Sequence, residues 1–495
     1  MDCNKLKLTC GACTAKHKNL RKVGEEVGNV GVSLQKSVNP TNVKDIKRCL
    51  LWGGKKWNFG GIKGHNGTIN FSINGAVKLY NQEDLYQEDP LYKPMVETIL
   101  ERLGKLVPYT FSYVENFNES ILDFNFCTGK FFWSPYIAGY ANPPGYAESW
   151  IYGDPSSKDD PDSDGCIFLN TTYFYDGFEN MGSWAHILTL HELGHALGLA
   201  HPHDKGGVST VMPGVKSSSQ AGTYGQNDFI YTVMSYRDTS SKYGPNSIAA
   251  KKGFVDNFMG IDTACLQWLY GKSKNSDVYD TYEITGETGN NWKVIYDHHT
   301  VNTLSSLNSV TPIKMDIRKA NLKLKSPHAG GFISTAKVDL GKRGGFLIAH
   351  NTDIKIVKMA NVNDTVYTKK SSIIKAGNGT NTVHVRGRNV HIDGKEQSSS
   401  KTYVHFGFKK MRSVKISVDD INKVIIVKKR NRLIAKCKNV DSIKFKTNTI
   451  PVARLYRIRR RRRRRRQRRQ RIRQRRQRQR QRQRQRRQRQ RQRQR

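Results

Sequence analysis

The stretch His191-Glu192-Leu193-Gly194-His195-Ala196-Leu197-Gly198-Leu199-Ala200-His201 decides how the rest of the chain is read. On a helix, His191 and His195 stand four residues apart, so both imidazoles leave one face a turn apart and can grip one divalent ion. Glu192 adjoins the first of them, where a carboxylate reaches a water at the ion without ligating the metal itself. Gly198 can take backbone angles closed to side-chain-bearing residues. The helix can therefore end there, and the chain can turn back to bring His201 to the same ion. Three protein ligands leave one coordination position for water, which separates a catalytic zinc from a structural one. The expectation is one catalytic zinc held by His191, His195 and His201, with Glu192 as the base. A bare His-Glu-x-x-His pair is a far commoner accident than this longer pattern.

With Pro202 directly after the third histidine and Thr232-Val233-Met234-Ser235-Tyr236 further on, the chain resembles the metzincin zinc endopeptidases and, within them, the serralysin family. The resemblance implies that Met234 forms a turn flooring the metal. It implies that Tyr236 is a weak additional zinc ligand that swings to support the transition state. Residues 258–271 are similar to the helix that closes the family's catalytic domain. The likeness runs from about Leu50 to Gly271, and more faintly to about Val385. His203 stands where these enzymes usually carry glycine, which sets a further imidazole beside the metal.

At 495 residues the chain has room for two or three domains with real cores. Its formal charge is +43; residues 457–495 hold 25 arginines and no acid, leaving +18 for the other 456 residues. Such a balance favours anionic partners: nucleic acid, an acidic membrane surface or polyanionic glycans. Eight cysteines in a chain of this size do not make a disulfide framework. No apolar stretch of signal-peptide length follows Met1, and no window approaches a membrane-spanning run. Conventional secretion is therefore not expected. The family resemblance implies export by a non-classical route, while the arginine tail is compatible with a nuclear or particle-associated location.

Residues 1–48 are lysine-rich and weakly patterned, and read as a basic segment or short prosegment; Cys10 or Cys13 is a candidate latch on the metal, against the plainer reading of free thiols. Thr68 to Ile73 alternates as a half-buried strand does. Leu91, Met95, Ile99, Leu103 and Leu106 recur at helical spacing, with Pro108 just beyond. Tyr109 to Val114 and Ile121 to Phe126 read as strands, giving the strand-helix-strand order of an α/β layer. Tyr136 to Asn142 falls where the family keeps the edge strand bordering its cleft, which implies an extended polypeptide substrate. Asp160, Asp162 and Asp164 alternate before Gly165 and read either as a calcium loop or as a solvated acidic loop.

Beyond Gly271, short runs of β-branched residues between polar turns mark an all-β segment, for example Val294 to Tyr296, Gly345 to Ile348, Ile354 to Val357 and Val424 to Val427. Residues 361–366 and 377–383 resemble the nonapeptides of a calcium-filled parallel β-roll, with Asp364 the retained ligand carboxylate and Asn381 in place of the other. Generic sandwich turns are the alternative. The arginine-glutamine tail should be disordered when alone, and should bind phosphates without sequence readout.

The fold class expected is α+β. A metzincin zinc-peptidase catalytic domain (49–272) is followed by an all-β, β-roll or sandwich-like domain (273–450) and a disordered tail (451–495). The function expected is a zinc endopeptidase, with calcium as a second metal, polypeptide as substrate and the tail available to nucleic acid or another polyanion. The competing reading is a catalytically silent metzincin-fold protein that binds or packages nucleic acid through its arginine tail.

Overall fold

A computed structural model describes residues 34–35, 39–57, 67–75, 86–132, 134–144, 165–174, 181–238, 254–273, 281–284, 291–297, 302–336, 345–395, 399–407, 414–419, 421–446 and 448–493. The chain divides into two compact units, residues 1–360 and 361–495.

In the first unit a five-stranded sheet is built from β1 (Thr68–Ile73), β2 (Thr110–Tyr113), β3 (Leu122–Cys127), β4 (Gly139–Ala141) and β5 (Cys166–Asn170). The order is β2-β1-β3-β5-β4; the first four run parallel and β4 runs antiparallel along β5 at the edge. Every residue of β3 and β5 is buried, as expected of central strands covered on both faces. Helix α1 (Tyr92–Leu106) buries Met95, Ile99, Leu103 and Leu106, four of the five residues that the spacing assigns to its inner face. Leu91 differs: it precedes the first helical turn and is 43% exposed. Helices α2 (Trp184–Ala196) and α3 (Gly260–Tyr270) join the same apolar core through Leu190, Leu193, Ile261 and Leu266.

Past α3 this unit continues in short strands, β6 (Thr281–Glu283), β7 (Trp292–Ile295), β8 (Asn302–Ser305), β9 (Ile313–Asp316), β10 (Ser334–Ala336), β11 (Gly345–Ile348) and β12 (Ile354–Lys358). Parallel pairing joins β6, β8 and β12. The other four form β9-β10-β11-β7, antiparallel except for the last pair.

In the second unit the chain alternates between two sheets. One contains β13 (Thr365–Tyr367), β15 (Thr380–Val385), β17 (Lys401–Phe406) and β21 (Ser442–Lys444), all parallel, closed by antiparallel β22 (Thr449–Pro451). The other stacks β14 (Ile373–Lys375), β16 (Val390–Asp393) and β20 (Arg432–Lys438) in parallel and ends in the antiparallel strands β19 (Val424–Lys429) and β18 (Val414–Asp419). Val366, Val383 and Val404 line up in register and are fully buried. Asparagine side chains close the turns: Asn361, Asn363 and Asn381 each accept from a backbone amide, of Asn378, Thr380 and Asp364 respectively. Asp364 is buried. Among the described residues no group of three metal-binding side chains includes it. Asp160, Asp162 and Asp164 lie outside the described residues, as do Cys10 and Cys13.

The tail departs from the expectation of disorder. Val452–Arg493 is one continuous helix, α4, exposed from Arg457 to Gln492. The physical reason is intrinsic preference: arginine and glutamine are both good helix formers, and no glycine or proline interrupts the run. No helix among the described residues is long and apolar enough to cross a membrane.

Candidate metal centre

Helix α2 starts where the Ser183 hydroxyl accepts from the His186 amide (3.2 Å), which satisfies one of the amides a helix start leaves open. Twelve of its thirteen residues are buried. The site therefore sits inside the unit, away from a solvated helix face. At the other end the Gly198 amide bonds to the His195 carbonyl and the Leu199 amide to the Gly194 carbonyl, both at 2.8 Å. That pair of bonds is a Schellman closure, which needs a left-handed residue at Gly198. Gly198 has φ +87° there, and a Cβ would lie 2.7 Å from the Lys55 carbonyl oxygen. Residues 50–52 clamp the turn from outside, with Ala200 N to Leu50 O and Trp52 N to Gly198 O both at 2.9 Å.

The turn delivers His201 to the helix. His201 Nε2 lies 2.9 Å from His195 Nε2 and 3.2 Å from His191 Nε2. Each ring also has an acceptor behind it: His191 Nδ1–H donates to the Val233 carbonyl (2.8 Å), His195 Nδ1–H to the Leu199 carbonyl (2.8 Å) and His201 Nδ1–H to Asp204 Oδ2 (2.7 Å). Those bonds fix the proton on Nδ1, so three Nε2 lone pairs face one point. Tetrahedral ligands at about 2.05 Å from zinc would stand about 3.3 Å apart, so the spacing and the three-imidazole donor set fit such an ion. Burial pushes His191 down to about 3 and His195 well below its ordinary value, with the facing His201 adding to both. Both rings are thus neutral and available to a metal at pH 7. For Asp204, burial pushes the carboxyl up, but the hydrogen bonds it accepts from His201 and from the Gly206 amide outweigh it and hold it below the usual range.

Met234 is fully buried beneath the site. A Cβ on Gly194 would come 2.5 Å from its sulfur, so the helix needs glycine where the methionine approaches. The turn carrying Met234 is tied to α3 by Asp262, whose carboxylate accepts from the Thr232 hydroxyl (2.5 Å) and from the amides of Val233 (2.8 Å) and Met259 (2.9 Å). The Val233 carbonyl in turn accepts the hydrogen bond from His191 Nδ1–H, so α3 orients a ligand through one intervening residue. Tyr236 packs its ring against His191, His201 and His203, at centroid distances of 5.5, 4.8 and 4.6 Å. His203 stacks on His201 (4.8 Å, 16°), and its Nδ1 is buried without a partner.

Glu192 is buried between the ligand helix and β4. A Cβ on Gly139 would stand 3.0 Å from Glu192 Cγ and 3.1 Å from Oε1. Beside it a recess is lined by the apolar Ala138, Trp184, Ile187, Leu188 and Phe229 together with His191, Glu192 and Tyr236. The structure brings together His191, His195, His201, Glu192, Met234 and Tyr236. Sequence reasoning missed Asp204, Asp262, Gly139 and Gly194. Asp204 carried a local signal, since an acid three residues past a ligand can reach back to its ring; the other three depend on long-range approach.

The arrangement is a cluster of three imidazoles able to hold a metal ion, with a carboxylate alongside; His201 also belongs to a second such group with His203 and Asp204. A 121-residue stretch is 31% identical to metallopeptidase AprA of Pseudomonas marginalis, covering 24% of each chain. A 135-residue stretch is 31% identical to serralysin of Proteus mirabilis, covering 25% of this chain and 26% of that one. The chain thus spans about a quarter of the length of the curated relatives it matches, and the link it supports is to metallopeptidases. No family model matches the chain.

Proposed function

We propose that the protein is a zinc-dependent endopeptidase of the metzincin, serralysin-like kind, hydrolysing peptide bonds within polypeptides. The observation that carries this reading is the convergence of three Nε2 atoms, each backed by its own acceptor, next to a buried glutamate. His191, His195 and His201 would hold the ion. Zinc in that cradle supplies a Lewis acid for the scissile carbonyl and lowers the pKa of water.

The chain's own residues do the rest. The outer edge of β4 pairs with an extended peptide and aligns it across the site. The recess beside Glu192 takes an apolar side chain of that peptide. Glu192 accepts the proton of the attacking water and passes it to the leaving nitrogen. The Tyr236 phenol donates a hydrogen bond to the developing oxyanion.

The test is chelator-sensitive cleavage of casein by the parent and by Glu192→Gln, with zinc measured on both. Equal activity of the two proteins would sink the mechanism. A parent that binds zinc but cleaves nothing would sink the function.

A further inference from the structure

The two units share the charge unequally. Residues 361–495 hold 46 Lys and Arg against 6 acids, a net +40, which leaves +3 of the chain's +43 for residues 1–360. The unit with the metal centre is close to neutral, so the excess belongs to the other unit and above all to α4. Residues 457–491 carry 23 arginines, all exposed. At 1.5 Å per residue they occupy about 52 Å of helix, one positive charge per roughly 2.3 Å.

Helical geometry also sorts the repeat. Gln467, Gln470, Gln474, Gln477 and Gln481 follow at intervals of three or four, continued by Gln485, Gln488 and Gln492. On α4 they form a neutral stripe about 80° wide; Gln479, Gln483 and Gln490 fall on the opposite side, so arginines surround the rest of the helix up to Arg478 and beyond it occupy two opposed flanks. A partner lying along one side of a rod meets only the side chains that face it. Arginines spread this widely therefore remain available to a second partner on another side.

We propose that α4 bridges two nucleic-acid duplexes at once, through backbone phosphates and without reading sequence. Duplex DNA carries one negative charge per about 1.7 Å of axis, close to the line density of α4. It is itself straight over this length, with a persistence length of about 50 nm, so two stiff rods keep contact along one another. Guanidinium groups match phosphate oxygens in pairs. Residues 457–495 contain only Arg, Gln and two Ile, so no aromatic ring offers stacking to single-stranded bases. Phosphates on the rod also relieve the i,i+4 repulsion among its own arginines.

This inference is independent of peptidase activity, and its test leaves the metal centre in place. The full chain is mixed with two 30-bp duplexes, one labelled with a donor fluorophore and one with an acceptor. Energy transfer between duplexes should appear at low salt, and duplex affinity should fall with salt at a log-log slope steeper than about −7, which corresponds to eight or more phosphates. A chain ending at Arg460 keeps the first turns of α4 and should lose the transfer with its zinc content unchanged. A full-length variant with the 22 arginines from Arg461 onward replaced by Gln should lose it too. The proposal is overturned if the duplex binds one per chain without transfer, if the truncated chain transfers equally well, or if a sulfated glycan is gathered while the duplex stays free.

Discussion

Gly139→Ala should weaken catalysis without touching the metal. The added Cβ would sit 2.9 Å from the Phe168 carbonyl oxygen, 3.0 Å from Glu192 Cγ and 3.1 Å from Glu192 Oε1. Ordinary carbon contacts lie at about 3.5–4.0 Å, so roughly half an ångström must be found. The carbonyl is fixed in the β4-β5 ladder, where Gly139 pairs with Leu169; the glutamate side chain is the part that can yield. Moving a catalytic group by up to about 1 Å costs up to about 10²-fold. A 10–100-fold fall in kcat/KM is expected, about 1.4–2.7 kcal/mol of transition-state stabilisation. The assay is peptide hydrolysis alongside zinc content, in the parent, Gly139→Ala, Glu192→Gln and the double variant. Acting through Glu192, the alanine should cost nothing further once Glu192 is Gln. The reasoning fails if Gly139→Ala stays within twofold of the parent, or if its loss follows a loss of zinc.

Asp204→Asn should lower zinc affinity by about 10–100-fold, because the acceptor that orients His201 becomes neutral; competition with a chromogenic chelator measures it, and unchanged affinity would remove Asp204 from the site. Gly194→Ala should displace Met234, whose sulfur would face a Cβ at 2.5 Å, and a crystal structure with Met234 unmoved would contradict this. His186 is buried on α2, and burial pushes it down to about 4, against the opposing hydrogen bond to the Asp256 carbonyl. Its unfolded value is about 6.5, so the folded state favours the neutral ring. The stability this contributes is present above about pH 6.5 and is lost as pH falls towards 4, on the order of 3 kcal/mol. Denaturant midpoints of the parent and His186→Gln should therefore converge as pH falls across that window; parallel profiles would refute the assignment. Peptides with a bulky apolar residue beside the scissile bond should outcompete those with aspartate there, since five apolar side chains line the recess by Glu192; a mixed peptide digest decides it.

Local pattern carried the ligand helix a long way. His191, Glu192 and His195 are related by helical spacing, and Gly198 by a backbone angle that only glycine adopts easily, so their arrangement follows from near neighbours in sequence. The periodicity of Met95, Ile99, Leu103 and Leu106 also survives folding, while the alternation holds from Thr68 to Phe71 and breaks where Ser72 is buried on Asp123 (2.6 Å) and Ile73 is half-buried. The tail misled for a comparable reason. Composition weighs like-charge repulsion, whereas the structure expresses the helix preference of Arg and Gln over 42 residues.

The sequence by itself determined the donor chemistry: three imidazoles, one carboxylate, one turn glycine, and the charge of the tail. Only the tertiary structure decided what stands behind each donor. The acceptors for the His191 and His201 rings, the three bonds that Asp262 makes to the methionine turn, and the strand that leaves Glu192 room at Gly139 are meetings of distant segments or of side-chain rotamers. Sequence spacing specifies periodic local geometry. Which remote backbone carbonyl or glycine arrives opposite a given atom is set by how the whole core packs.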